Sequence, residues 1–283
     1  MKIIIADYSG FCFGVERAVN IVEDTAKFHD NVYTLGPIIH NPQLVERLKG
    51  KGINVKDDVE FINSEETVII RSHGIPKESF LALKAKNTNV IDATCPFVTR
   101  AQEQAEALTK DGYFLVIFGE RDHPEVKGIV SYCTGEYAIV ENEEETEKDI
   151  DFKEKIGVIA QTTQNKANFS KIVEVLREKC KELKVINTIC NATTLRQEAG
   201  KKVALISDIM YVIGGKNSGN TTRLYEICKQ ICPKVYHIET KDDINVDDLK
   251  GTENIGITAG ASTPKYLIDE VIEFLKEVEN AGK

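Results

Sequence analysis

The sequence predicts an α/β protein of three pseudo-symmetric units, each with a small parallel sheet, arranged around a central cavity. Apolar runs of strand length alternate with helical patterns along the whole chain, which is the pattern of parallel sheets. The same succession of strand, cysteine, helix, glycine-ended strand and polar loop also occurs three times. We therefore expect units at residues 1–90, 91–186 and 187–283.

Composition excludes several classes of protein. The chain has 283 residues and a net charge of −9, so it lacks the basic excess of a general nucleic-acid binder. No apolar run reaches the roughly 18–20 residues of a membrane span, and residues 1–7 read as a strand rather than a signal peptide. We expect a cytoplasmic protein with no membrane and no nucleic-acid partner, whose seven cysteines are not paired in disulfides.

Three cysteines occupy equivalent places in the repeats. The apolar runs before Cys12, Cys95 and Cys190 each end at the cysteine, which opens a helical pattern. A helix N-terminus favours the thiolate that binds metal. Three thiolates suit zinc with an open position, or equally a four-iron cluster with one iron that lacks a protein ligand.

The other four cysteines do not share this position. Cys180 is expected in a helix over residues 172–183, and Cys133 has no motif around it. Cys228 and Cys232 have the i, i+4 spacing of a metal pair, but the apolar spacing of a helix also explains them. We expect all four to be structural.

Polar residues follow the two other strands of each repeat. The loops carry His40, His123 and Ser218–Asn220 after glycine-ended strands, and His73, Thr162 and Ser262 after the last strand of each unit. Because the carboxyl ends of parallel strands build the binding site, these side chains suit a small anion held at helix starts. Glu125 fits a proton donor or a first-turn helix acid, and Thr162 a proton relay or a helix cap.

The motifs resemble those of the 4-hydroxy-3-methylbut-2-enyl diphosphate reductase family, and they run from residue 10 to residue 264. The matching stretches are Gly10–Val15, Ile39–Pro42, Arg71–Gly74, Asp92–Pro96, His123–Val126, Gln161–Thr163, Thr188–Gln197, Asn217–Asn220 and Gly260–Pro264.

The resemblance implies a fold, a cofactor and a reaction. It implies a three-lobed α/β fold with a [4Fe–4S] cluster on Cys12, Cys95 and Cys190. Further, it implies reductive dehydroxylation of the diphosphate to isopentenyl and dimethylallyl diphosphate, with electrons from a ferredoxin or a flavodoxin. Glu125, Thr162 and His123 would be catalytic. The implied substrate-binding residues are His40, His73, His123, Thr162, Ser218, Gly219, Asn220 and Ser262.

One position departs from the family pattern. The family often has a second serine where this chain has Gly219. A glycine offers its backbone N–H group but no hydroxyl, so we expect a slightly weaker hold on the diphosphate.

Two other classes of protein share some of these features. Another three-cysteine cluster enzyme, such as quinolinate synthase, would need a dicarboxylate site richer in Arg and Tyr. A non-catalytic metal-binding or redox-sensing protein would leave the loop histidines, Glu125 and Ser218–Asn220 without a role.

Overall fold

Within residues 1–281, which this computed structural model describes, twelve strands form three four-stranded sheets, and every strand pairing is parallel. The three small parallel sheets confirm the predicted fold class. The strands are β1 Lys2–Ile5, β2 Val32–Leu35, β3 Asn54–Lys56, β4 Thr67–Ile70, β5 Asn89–Asp92, β6 Phe114–Phe118, β7 Tyr137–Val140, β8 Lys153–Ala160, β9 Cys180–Val185, β10 Ile209–Ile213, β11 Lys234–Ile238 and β12 Asn254–Ala259.

Helices connect nearly all of these strands, as crossovers between parallel strands require. They are α1 Phe13–Phe28, α2 Pro42–Lys49, α3 Lys77–Ala85, α4 Pro96–Lys110, α5 Pro124–Val130, α6 Glu143–Asp149, α7 Lys166–Arg177, α8 Asn191–Ala204, α9 Gly219–Lys229 and α10 Lys265–Ala281. No helix of the described chain is both long enough and apolar enough to span a bilayer.

The three sheets share one strand order. The orders are β3-β2-β4-β5, β7-β6-β8-β9 and β11-β10-β12-β1. In each sheet the strand that leads to a cysteine is an edge strand beside the last central strand. The expected repeat begins with the strand that leads to a cysteine. In the structure this strand instead pairs with the last central strand of a sheet, so the repeating unit of the fold ends with it.

The pairing of β1 is the main difference from the expected units. Lys2–Ile5 is expected in a unit of residues 1–90, but β1 pairs with β12. Residue 90 also lies within β5, which pairs with β4. The division of the chain into three units stays a prediction. In the structure, β1 belongs to the sheet of β10, β11 and β12.

The chain separates into two compact units, the first unit and the second unit, whose bounds differ from those of the three predicted units. The first contains Met1–Val15, His40–Glu46 and the chain from Asn191 onward, and it holds the sheet of β1, β10, β11 and β12. The second contains Glu16–Ile39 and Arg47–Cys190, and it holds the other two sheets.

Apolar side chains cover both faces of these sheets, as the fully buried central strands require. In the first unit, Tyr211 of β10 lies on the face of the sheet that packs against α10. The adjacent Met210 lies on the opposite face, where it packs with Leu224 of α9. In the second unit, Phe118 and Ile117 of β6 likewise belong to separate clusters. Since successive strand residues face opposite ways, each central strand contributes to two cores.

The prediction of a helix around Cys180 is wrong. Cys180 begins β9 and is not in a helix, because α7 ends at Arg177. The lysine and glutamate side chains of β9 are exposed, as is typical of an edge strand.

Candidate active site

The same local structure surrounds Cys12, Cys95 and Cys190. Each is the residue immediately before a helix, and each thiol is partly buried. Each backbone N–H group donates to the carbonyl of the second residue after a central strand. The acceptors are Ala261 for Cys12 at 3.2 Å, Ser72 for Cys95 at 2.9 Å and Thr162 for Cys190 at 2.9 Å. The backbones of the three cysteines thus make the same hydrogen bond to their own sheets.

The remaining cysteines are poor metal ligands. Burial raises the pKa of Cys133 to about 11 and that of Cys228 to about 12. Burial also raises the pKa of Cys180 and of Cys232. In all four residues burial thus disfavours the thiolate, which is the form that binds metal. Cys12, Cys95 and Cys190, which share a position before a helix, are therefore the candidate metal ligands.

Two further sets of loop residues follow the same repeat. The fifth residue after β2, β6 and β10 is His40, His123 and Ser218 in turn. The third residue after β4, β8 and β12 is His73, Thr163 and Ser262 in turn. All polar residues singled out in the sequence therefore lie where strands end and helices begin.

In the first unit, three loops meet at Ser262. Its hydroxyl lies 3.2 Å from the His40 carbonyl oxygen and 3.3 Å from Ser218 Oγ, and it can donate to either. Ser218 caps α9, because its Oγ accepts the Thr221 N–H at 3.4 Å. Asn220 is buried, and its Nδ2 has no hydrogen-bond partner among the described residues. Hydroxyl and amide donors thus gather at the start of α9, where an anion is favoured.

Glycines allow these loops to approach one another. Gly214 has a φ of +147°, and a side chain there would meet Thr263 and Thr221. A Cβ atom on Gly215 would lie 2.8 Å from the His40 carbonyl oxygen. Gly219 is the first residue of α9, next to the cap. The glycine pair after β10 therefore brings the Ser218 loop against the His40 backbone.

In the second unit, Glu125 is held by Thr162. Glu125 is only 1 % exposed. Its Oε1 accepts the Thr162 N–H at 2.6 Å, and its Oε2 accepts the Thr162 hydroxyl at 2.8 Å. The Thr162 carbonyl accepts the Cys190 N–H. Thr162 therefore contacts both the Glu125 carboxyl group and the Cys190 loop. Two donors at these distances hold the carboxyl group in one orientation.

His123 adjoins this pair. It caps α5, where its Nδ1 accepts the Glu125 N–H at 3.1 Å. Because Nδ1 is an acceptor, the neutral ring carries its proton on Nε2. The His73 and His123 rings meet edge to face, with centroids 5.5 Å apart. The second unit thus brings together two histidines, an acid and a threonine.

Sequence reasoning missed several residues that support these loops. His237 Nε2 lies 3.0 Å from the Gly214 carbonyl oxygen, and burial lowers its pKa. Ser72 donates through its hydroxyl to the Ile38 carbonyl at 3.0 Å. No pattern marks His237, and Ser72 lies within the matching stretch Arg71–Gly74 but had no role assigned to it.

Comparisons with known proteins identify the family of this chain. A sequence model of the LytB protein family matches residues 3–276. A 4-hydroxy-3-methylbut-2-enyl diphosphate reductase of Aquifex aeolicus is 50% identical, across 98% of this chain and 97% of that protein. A reductase of the same name from Geobacter sulfurreducens is 47% identical across 100% of both chains.

Solved structures give the same result. The structure of (E)-4-hydroxy-3-methyl-but-2-enyl diphosphate reductase, the terminal enzyme of the non-mevalonate pathway, is 49% identical with a TM-score of 0.72 and covers 98% of this chain and 100% of that one. The E-1-hydroxy-2-methyl-but-2-enyl-4-diphosphate reductase of Plasmodium falciparum is 28% identical with a TM-score of 0.90, across 98% and 87%. The motifs, the fold and the relatives agree, and the chain belongs to the LytB protein family.

Proposed function

We propose that this chain is a 4-hydroxy-3-methylbut-2-enyl diphosphate reductase, which removes the substrate's hydroxyl group to give isopentenyl and dimethylallyl diphosphate. Relatives with this name match the chain over its whole length. The single observation that carries the chemistry is the buried Glu125–Thr162 pair, whose threonine also accepts the Cys190 N–H.

Cys12, Cys95 and Cys190 would hold a [4Fe–4S] cluster. Their shared position before a helix and the raised pKa values of the other four thiols support this set. When bound by three thiolates, such a cluster supplies electrons and an iron with an open position that acts as a Lewis acid.

The loop residues would bind the diphosphate. In the first unit, Ser218, Asn220 and Ser262 offer hydroxyl and amide donors beside the N-terminus of α9, and Gly219 offers its N–H group. His40 belongs to the same unit, and His73 and His123 would contribute from the second. Histidines and a helix N-terminus suit an anion in a chain whose net charge is negative.

Glu125 would supply a proton. Replacing a C–OH bond with C–H and releasing water consumes two electrons and two protons. A buried carboxyl group next to the cysteine loop is suited to protonate the departing hydroxyl oxygen. Thr162 would orient that carboxyl group through its N–H and its hydroxyl. His123, which accepts the Glu125 N–H, would fix the start of α5.

The electrons would come from a ferredoxin or a flavodoxin in the cytoplasm. Such carriers deliver single electrons at low potential, which an iron–sulfur centre accepts. The finding that the described helices cannot span a membrane is consistent with a carrier in solution.

Metal analysis tests this function. We would purify the protein anaerobically, measure iron and acid-labile sulfide per chain, and record Mössbauer spectra before and after adding the diphosphate substrate. About four irons, one of which responds to substrate, together with turnover by a chemical reductant, would support the proposal. Stoichiometric zinc without sulfide would overturn it.

A further inference from the structure

The peptide group before Cys95 is held at both of its polar ends. Arg17 of α1 donates through Nη1 to the Thr94 carbonyl at 3.2 Å. The N–H of the same peptide group belongs to Cys95 and donates to the Ser72 carbonyl at 2.9 Å. Because both polar atoms of this peptide group are engaged, its plane cannot rotate without breaking one bond. The direction in which the Cys95 side chain leaves the backbone is thereby set.

A second arginine holds the loop before Cys12. Arg196 of α8 is 2 % exposed, and its Nη2 donates to the Gly10 carbonyl at 2.5 Å. Its Nε donates to the Ala259 carbonyl at 3.1 Å. Gly10 lies two residues before Cys12 and has a φ of +94°, a conformation that other residues rarely adopt. One guanidinium group thus joins the Cys12 loop to the end of β12.

In the third cysteine loop a threonine makes the corresponding contacts. Thr188 lies two residues before Cys190, and its hydroxyl accepts the Ala160 N–H at 2.9 Å and donates to the Ala160 carbonyl. Arg100 follows Cys95 by the same five residues that separate Arg17 from Cys12. It is exposed, and within residues 1–281 it makes no hydrogen bond or ion pair. Arg100 is therefore a natural reference for Arg17, with the same charge and place in a helix but no contact to a cysteine loop.

We propose that Arg17 and Arg196 are positioning residues that hold the Cys95 and Cys12 loops in the conformation that binds the cluster, an inference that rests on the proposed function. A guanidinium group suits this role because it is always charged and presents several fixed donors. The positive charge of each arginine also lies near a cysteine loop, where it favours the reduced and more negative state of a cluster. Neither side chain needs to touch substrate.

Arg17 is the better residue to test. Arg196 is buried and donates to three carbonyls, those of Gly10, Ala192 and Ala259, so its loss would also disturb the packing of α8. Arg17 is only partly buried. Loss of an outer partner of a metal ligand typically weakens metal binding by about 10–100-fold. We expect Arg17→Gln to lose its cluster to an iron chelator at least about 10-fold faster than the unaltered protein, and Arg17→Lys to fall between them.

The experiment compares the anaerobically reconstituted holoenzyme with its Arg17→Gln, Arg17→Lys and Arg100→Gln variants. Iron and sulfide content, the rate of cluster loss to bathophenanthroline, and the midpoint potential from an EPR-monitored titration are measured for each. Faster loss and a lower potential in Arg17→Gln, partly restored in Arg17→Lys and absent in Arg100→Gln, would support the inference. If Arg17→Gln and Arg100→Gln give equal values on a protein that holds four irons, the inference is overturned and the proposed function stands. An unaltered protein without iron and sulfide would instead overturn the proposed function.

Discussion

Replacing Glu125 with glutamine separates catalysis from folding. The side chains have nearly the same shape, and the amide keeps one oxygen to accept the Thr162 N–H. The new NH₂ group faces the Thr162 hydroxyl, which can turn from donor to acceptor. Both contacts therefore survive in weaker form, and we expect the free energy of unfolding to fall by only about 1–2 kcal/mol.

The effect on turnover should be far larger. A positioned general acid typically contributes about 10²–10⁴-fold to the rate. At about 1.4 kcal/mol for each tenfold change, this is roughly 3–5 kcal/mol of activation free energy. An amide cannot release a proton at neutral pH, so the whole of this contribution is lost in Glu125→Gln while the cluster content stays unchanged.

The assay follows oxidation of reduced methyl viologen by the diphosphate substrate under anaerobic conditions. Asp122→Asn is the matched control, because it also removes one carboxylate near His123, but from a fully exposed side chain that forms an ion pair with Lys127 at 3.2 Å. We expect near-normal turnover in the control and a loss of at least about 100-fold in Glu125→Gln. Near-normal turnover in Glu125→Gln, with normal iron content, would remove Glu125 from the mechanism.

Three more predictions follow from the site and the cysteines. Gly219→Ser adds a hydroxyl beside Ser218 and should lower the Michaelis constant for the diphosphate in steady-state assays; an unchanged or higher constant would contradict this role. Cys95→Ser should abolish the cluster, whereas Cys133→Ser should leave iron and sulfide content unchanged, because burial raises the Cys133 pKa to about 11. The pKa of Cys228 is likewise raised, to about 12 from 9.0, so the folded chain keeps a proton that the unfolded chain releases. The contribution of Cys228 to stability should therefore be constant below about pH 9 and fall from there toward pH 12, and in denaturant titrations Cys228→Ala should flatten the decline above pH 9.

The central part of each sheet was predictable from the sequence because its signal is local. Runs such as Phe114–Phe118 are apolar throughout, which is typical of strands buried on both faces. The edge strands gave no such signal. In Asn54–Lys56 and Cys180–Val185 most side chains are exposed and many are charged, so their hydrophobic pattern is weak. The assignment of Cys180 to a helix failed for this reason.

Pairing between distant segments was also beyond the sequence. Nothing in Lys2–Ile5 indicates that its partner is Asn254–Ala259 rather than a nearby strand. The candidate site was predictable in its residue types, because each lies in a strand-end loop of a repeated unit. Its supports were not, since Ser72, His237 and Arg196 act through backbone carbonyls that any sequence provides. Only three-dimensional structure shows which carbonyls are near.

The pairing of β1 with β12 has a consequence for the order of assembly in the cell. Synthesis runs from the N-terminus, so the ribosome makes Cys12 long before it makes β12. Until Asn254–Ala259 has emerged, the strand that leads to Cys12 has no partner, and the Ala261 carbonyl that accepts the Cys12 N–H does not exist. A cluster that needs Cys12 in its final conformation would thus be inserted only after β12 has been synthesised.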